Sequence, residues 1–185
     1  MHRAIGMIES QSIATGIFLA DAMLKASDVE VLASSTVCPG KHTTLIGGEV
    51  AAVENSIQVA RRLGGSHIVD SILIPNVHDQ LFPAIKGAVE PPPYQSYRSI
   101  GVIESFSIAS LIVAADTAAK TADVTLYEIR LGWAIGGKAF VTLMGDVAAV
   151  QAAVDAGALG LEEQGLLVSK IVIPAPHPEL VRAMG

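Results

Sequence analysis

Apolar and polar positions along this chain shift between a strand period and a helix period, and the shifts predict its elements. Ala4–Glu9 is a short apolar run with polar boundaries and predicts a strand. Ser12 is placed to cap a helix over 13–27, where Ile13, Ile17, Ala20, Met23 and Leu24 recur at helical spacing. Asp21 and Lys25 stand four apart on its outer side, acid first, the favourable order for an ion pair. The β-branched residues of Val29–Val37 predict a second strand, and the Pro and Gly of Thr36–Gly40 interrupt it as a tight loop. His42–Ile46 resumes as a strand, so that loop is the tip of a hairpin. Gly48 and Glu49 open a second helix that runs to about Leu63 and is stopped by Gly64 and Gly65. Ile68–Ile74 is a last strand ended by Pro75, with a short helix after His78. Strand, helix, strand, strand, helix, strand is the order of a ferredoxin-like α+β unit, with both helices on one face of an antiparallel sheet.

The same pattern then occurs a second time. Residues 4–29 reappear at 99–124 with roughly half the positions identical. The offset is 95 residues there, 97 at Gly40 against Gly137, and 99 at Ile74 against Ile173, so two small insertions separate parallel copies. In the second copy Asp146 is a natural N-cap for the twin helix, Leu166–Ile173 is the last strand, and a short helix follows His177. The expected organisation is a first domain over 1–88, a linker over 89–98 and a second domain over 99–185. The connection between the copies, Lys86–Arg98, contains Pro91, Pro92 and Pro93 and reads as a stiff extended spacer. Residues shared by both copies are candidates for scaffold, and positions where the copies part are candidates for a unique task.

Composition changes this picture in one respect. The chain is 51% hydrophobic and 16% charged, with mean hydropathy +0.50. Domains of about 90 residues expose much of their surface, so this excess points to burial against other subunits. A membrane span is not expected, because the most apolar stretch, Ile108–Ala119, contains Asp116 and falls short of about 20 residues. No charged start, apolar core and small-residue cleavage site opens the chain, so no secretion signal is expected. The single Cys38 can form no intrachain disulfide, which fits a reducing cytoplasm. A net charge of −6 without a block of Lys or Arg, together with 4% aromatic residues, argues against a nucleic-acid partner.

Several motifs in fixed order carry a family resemblance. IGMIES at 5–10, DAMLKAS at 21–27, GGEVAAV at 47–53 and IPNVH at 74–78 are matched by IGVIES, DTAAKTA, GDVAAV and IPAPH in the second copy. These segments resemble the bacterial microcompartment shell domain, over nearly the whole chain from about residue 4 to 183. A tandem chain of this kind is similar to the shell proteins in which three chains form a pseudohexagonal tile that packs edge to edge. TVCPGK at 36–41 resembles the propanediol-utilisation type of tandem shell protein, whose central pore carries an iron–sulfur cluster. The family's last strand commonly ends Pro-Arg-Pro-His, whereas the copies here read Pro75-Asn76-Val77-His78 and Pro174-Ala175-Pro176-His177, so the arginine's part in edge packing is not reproduced. Nor does either copy reproduce the small, glycine-rich pore loop of single-domain members.

Taken alone, Cys38 reads as an inert, small buried hydrophobe. The resemblance implies something else: three copies of Cys38 around a three-fold axis, binding three corners of one [4Fe–4S] cluster per homotrimer. Pro39 would stiffen the loop and Gly40 would let backbone N–H groups approach the cluster sulfurs. Thr36, Val37, Pro39 and Gly40 then line a pore loop, and Trp133, Ala134, Ile135 and Gly136 form its ligand-free counterpart; Trp133 as a filler of its own domain's core is the alternative. Gly136-Gly137-Lys138 lacks the spacing of a phosphate-binding loop. Glu9 with Ser10, and Glu104 with Ser105, occur in both copies and are expected to satisfy backbone groups at a strand-to-helix turn rather than to act in catalysis. Lys25 and Lys120 compensate helix dipoles, and the resemblance places them at the tile edge. His78 and His177 have no second ligand at metal spacing and are expected in structural or edge roles. His42 adjoins the hairpin and either tunes the cluster or titrates near neutral pH.

The expectation is therefore a non-enzymatic shell protein, located in a microcompartment shell in the cytoplasm. Its partners are neighbouring shell proteins and an encapsulated redox enzyme served by electrons moving across the shell. Delivery of clusters, a cluster-free pore for small polar metabolites, and a cytosolic ligand sensor of the same fold stay open as alternatives.

Overall fold

The structure is a computed structural model that describes residues 3–90, 97–132 and 135–184. The Pro91–Pro93 part of the expected linker, Trp133 and Ala134 lie outside the described residues. The chain folds as two compact units. One comprises the described residues up to Val77 together with those of the 132–137 loop, and the other comprises His78–Leu131 and the chain from Lys138 on.

The first unit holds β1 (Ala4–Ser10), α1 (Ile13–Ala26), β2 (Glu30–Val37), β3 (Lys41–Gly48), α2 (Val50–Gly64) and β4 (Ile68–Pro75). Its antiparallel sheet has the order β2-β3-β1-β4, the expected ferredoxin-like topology. The Ser12 side chain accepts the Thr15 N–H and caps α1, and Ser10 Oγ accepts the Ser12 N–H at the turn before it. Gly6 sits in the middle of the sheet, where a Cβ would fall 2.7 Å from Val53 and Ile57, so α2 packs directly on bare backbone. The core between sheet and helices is built from Ala4, Ile8, Leu19, Met23, Ile46, Val53, Ile57 and Ala60.

Two expectations change here. Thr36 and Val37 are strand rather than loop, paired with His42 and Lys41, so the hairpin tip shrinks to Cys38–Gly40. The Pro-Gly signal marks the turn correctly, but β3 begins at Lys41 and carries the ladder up to it. On α1, the residues that reach the core are Gly16, Leu19 and Met23, while Ile13, Ile17 and Leu24 are exposed. Their helical spacing describes a second apolar face beside the one that meets the sheet.

The second unit repeats the plan with β5 (Ser99–Ser105), α4 (Ile108–Thr121), β6 (Val124–Leu131), β7 (Ala139–Gly145), α5 (Val147–Glu163) and β8 (Leu167–Pro174) in the sheet order β6-β7-β5-β8. Ser107 caps α4 as Ser12 caps α1, whereas Asp146 stands at the start of α5 without a side-chain capping bond. Gly101, the twin of Gly6, again lets a helix sit on the sheet, a Cβ there falling 2.6 Å from Val154. Two short helices complete this unit. α3 (Leu81–Ile85), which follows β4 in the chain, packs on β6. In α6 (Pro178–Met184), Val181 joins a cluster with Tyr97, Ile100, Tyr127 and Met144.

Candidate functional site

The β2–β3 hairpin ends in a turn closed by the Gly40 N–H on the Val37 carbonyl at 2.9 Å. Cys38, Pro39 and Gly40 are all exposed at this tip, so the inert buried reading of the thiol does not hold. Gly40 adopts φ +101°, left-handed backbone suited to glycine, and a Cβ there would meet nothing within 4 Å. The Cys38–Pro39 peptide is cis.

The loop that differs between the copies is part of the same unit. Gly137, at φ +77°, lies so close to the hairpin that a Cβ would fall 2.4 Å from the Cys38 carbonyl oxygen. Only glycine admits that approach, so the ligand-free loop buttresses the backbone that presents the thiol. Gly136 is exposed and Ile135 half-buried beside it.

Both hairpins are anchored by an ion pair that sequence reading missed. Lys41 Nζ contacts Glu9 Oε1 in the first copy, and Lys138 Nζ contacts Glu104 Oε1 in the second. The β1–β3 register sets Glu9 opposite Thr43, so Lys41, two residues along, is its diagonal neighbour. Ser10 and Ser105 do serve the turn backbone as expected, but the glutamates beside them tie the hairpin base to the central strand. The signal that could have found the pair is the presence of both partners in both copies.

Among the described residues, no three His, Cys, Asp or Glu side chains converge to hold a metal. One chain offers an exposed thiol with space around it and no second ligand, a donor set that fits a site completed by other copies of the chain. His42, on β3, is buried under α1; a Cβ on Gly16 would fall 2.5 Å from it. Its Nε2 lies 3.5 Å from Ser34 Oγ, and burial holds its pKa below the usual histidine value.

The expected edge residues stand at the ends of elements. Lys25 pairs with Asp21 and Lys120 with Asp116, each at 2.6 Å and one helical turn apart. His78 and His177 lead the two short terminal helices, each accepting through Nδ1 the N–H two residues on, from Gln80 and Glu179.

Two βαββαβ units in tandem, each with a hairpin anchored at its base, define a class of repeated α+β domain proteins, and comparison identifies it. The BMC domain family matches residues 4–77 and 99–176. The bacterial microcompartment shell protein PduT of Citrobacter freundii is 41% identical over 184 residues, covering 100% of this chain and 98% of that protein. A crystal structure of a microcompartments protein from Desulfitobacterium hafniense DCB superposes with TM-score 0.92 at 50% identity, covering 98% of this chain and 99% of that one. The fused permuted hexameric shell protein MSM0275 of the RMM microcompartment gives TM-score 0.60 at 26% identity, over 87% and 82% of the two chains. The chain belongs to the BMC domain family, as a tandem-domain shell protein of a bacterial microcompartment and not an enzyme.

Proposed function

We propose that three copies of this chain form a pseudohexameric tile of six domains, and that their Cys38 thiolates meet at its centre to hold one [4Fe–4S] cluster. The observation that carries this reading is the placement of Cys38. It is the chain's one cysteine, it is exposed at a hairpin tip, and the corresponding loop of the second copy has no ligand. Duplication keeps six similar edges while reducing the centre to three-fold symmetry, so the thiol appears three times around the axis. Three thiolates occupy three corners of a cube and leave one iron without a protein thiolate. When bound, such a cluster supplies one-electron redox chemistry, here electron transfer across the shell to an encapsulated redox enzyme.

The chain's own residues prepare the site. Lys41 and Glu9 fix the hairpin base, Gly137 supports the Cys38 carbonyl, and Thr36, Val37, Pro39 and Gly40 shape the pore rim with Ile135 and Gly136 of the second copy's loop. Lys25, Lys120, His78 and His177 face neighbouring tiles and other shell proteins.

Anaerobic purification followed by cluster reconstitution tests the reading. The expected result is a brown protein with about four iron atoms per trimer, a broad visible charge-transfer band and an electron paramagnetic resonance signal on reduction. Cys38→Ser is expected to abolish colour and iron while leaving the assembly intact. A colourless, iron-free protein after reconstitution overturns the cluster and leaves a pore for small polar metabolites.

A further inference from the structure

The two copies fill one place beneath their first helix in opposite ways. In the second unit that place holds Leu111 on α4 and Ala139 on β7, both fully buried. Their twins in the first unit are Gly16 on α1 and His42 on β3, so the bulk passes from helix to strand. A Cβ on Gly16 would fall 2.7 Å from the His42 Nδ1. The imidazole therefore takes the room that leucine takes in the second copy.

The neighbouring positions change with it. Ile129, Leu131 and Val141 of the second sheet correspond to Ser34, Thr36 and Thr44 of the first. An apolar layer in one copy is thus a polar layer in the copy that carries the thiol. Its centre is closed to solvent, His42 being 4% and Thr44 2% exposed. Ser34 Oγ lies 3.5 Å from His42 Nε2 and 3.3 Å from Thr44 Oγ1. Nδ1 is buried and makes no hydrogen bond among the described residues.

The elements around the ring turn uncharged groups toward it. α1 meets it at Gly16, and its ladder partners on β1 and β2 are Ser10 and Thr36. Lys41 and Glu9 alternate onto the other face of the sheet and pair with each other there. Asp21 and Lys25 pair on the exposed side of α1, and Glu30 stands at the far end of β2. Burial without a counter-charge lowers the His42 pKa and keeps the imidazole neutral at rest. What the ring lacks is negative charge nearby. His42 follows Gly40 by two residues, and its partner Thr36 precedes Cys38 by two. Negative charge added at the hairpin tip supplies what is lacking, and across protein it is screened less than across water.

We infer that His42 takes up a proton when the Cys38 centre gains an electron, so that the tile moves the two together. This coupling rests on the cluster proposed above. The electron comes from a one-electron reductant and the proton from water. The one bond made is the second ring N–H of an imidazolium, and on oxidation both the electron and that proton leave. With three His42 rings around one centre, a single electron draws one proton to the set. The second copy, with Ala139 at this position, adds no such site. His42 is thus a positioning residue for charge and does not touch the centre itself.

The test uses the full-length protein after cluster reconstitution and reads its midpoint potential across the range around neutral pH. In wild type the potential is expected to fall as pH rises. The slope approaches about 59 mV per tenfold change in proton concentration, the value for one proton per electron. Reduction with dithionite in weakly buffered solution is expected to take up protons, read with an indicator dye. Gly16→Leu combined with His42→Ala installs the second copy's packing, and His42→Gln keeps a neutral polar side chain in place. Both variants are expected to bind iron as wild type does, with a potential independent of pH and no proton uptake. Either variant decides the matter, so a fold lost in one leaves the other to be read. A pH-independent wild-type potential, or a slope that persists in an iron-loaded variant, overturns the role of His42 and leaves the cluster standing. A wild type that stays iron-free after reconstitution overturns the cluster itself, and this coupling with it.

Discussion

Glu9 and Glu104 occupy the same position in their copies and make the same kind of ion pair, yet their surroundings set different energies. The Glu9 side chain is 4% exposed and its partner Lys41 27%, whereas Glu104 and Lys138 are at 30% and 38%. Losing the partner of a buried carboxylate strands a charge away from water, while a carboxylate at the surface is solvated in its place. Lys41→Met is therefore expected to lower the unfolding free energy by about 2–3 kcal/mol and Lys138→Met by less than about 1 kcal/mol, as read from urea midpoints. Equal losses would show that exposure does not decide the matter. The pair escapes a linear reading because its partners are joined only by the β1–β3 register. The thiol was legible as a singular residue, but its exposure and the Gly137 support beneath it depend on how the second loop folds back.

At the scale of elements, α1 rests on β3 through two residues that read as unrelated in sequence. Gly16 gives the helix its close approach and His42 fills the space beneath it, with the ring Nδ1 buried and making no hydrogen bond among the described residues. A charged imidazole needs acceptors for both N–H groups, and burial accordingly lowers the His42 pKa from its ordinary 6.5. The unfolded chain then binds the proton more readily than the folded one, so stability is lost as pH falls below about 6.5 toward the lowered value. Thermal melts between pH 7.5 and 5.5 are expected to show this loss in wild type and a smaller slope in His42→Gln; parallel slopes would place the titration elsewhere. Most element boundaries were legible to within a residue or two, because apolar periodicity, Ser caps and Pro or Gly stops agreed with one another. The face of α1 was not. Ile13, Ile17 and Leu24 have the spacing of a core stripe, and periodicity reports that a face is apolar without saying what buries it.

For the whole molecule, the tile proposed above ties stability to assembly. A chain whose apolar α1 face is covered in such a tile gains free energy from association that the isolated chain lacks, and its melting temperature then rises with protein concentration. For a three-chain ring, two association events are shared among three chains, so each tenfold rise in concentration adds about 0.9 kcal/mol per chain. In a chain of this size that corresponds to roughly 2–4 °C in Tm. Ile17→Glu, which puts a carboxylate on the exposed apolar face of α1, is expected to melt at a temperature independent of concentration and close to the low-concentration limit of wild type. Its fold should survive, because Ile17 is already 58% exposed in the single chain and contributes little to its own unit. Calorimetry over a hundredfold range of concentration separates the outcomes: a flat wild-type Tm means that association adds no stability, and an Ile17→Glu Tm that still climbs places the stabilising contact on another surface. The high hydropathy of the chain gains a location by this argument. Part of the apolar excess lies on the exposed face of α1, at Ile13, Ile17 and Leu24.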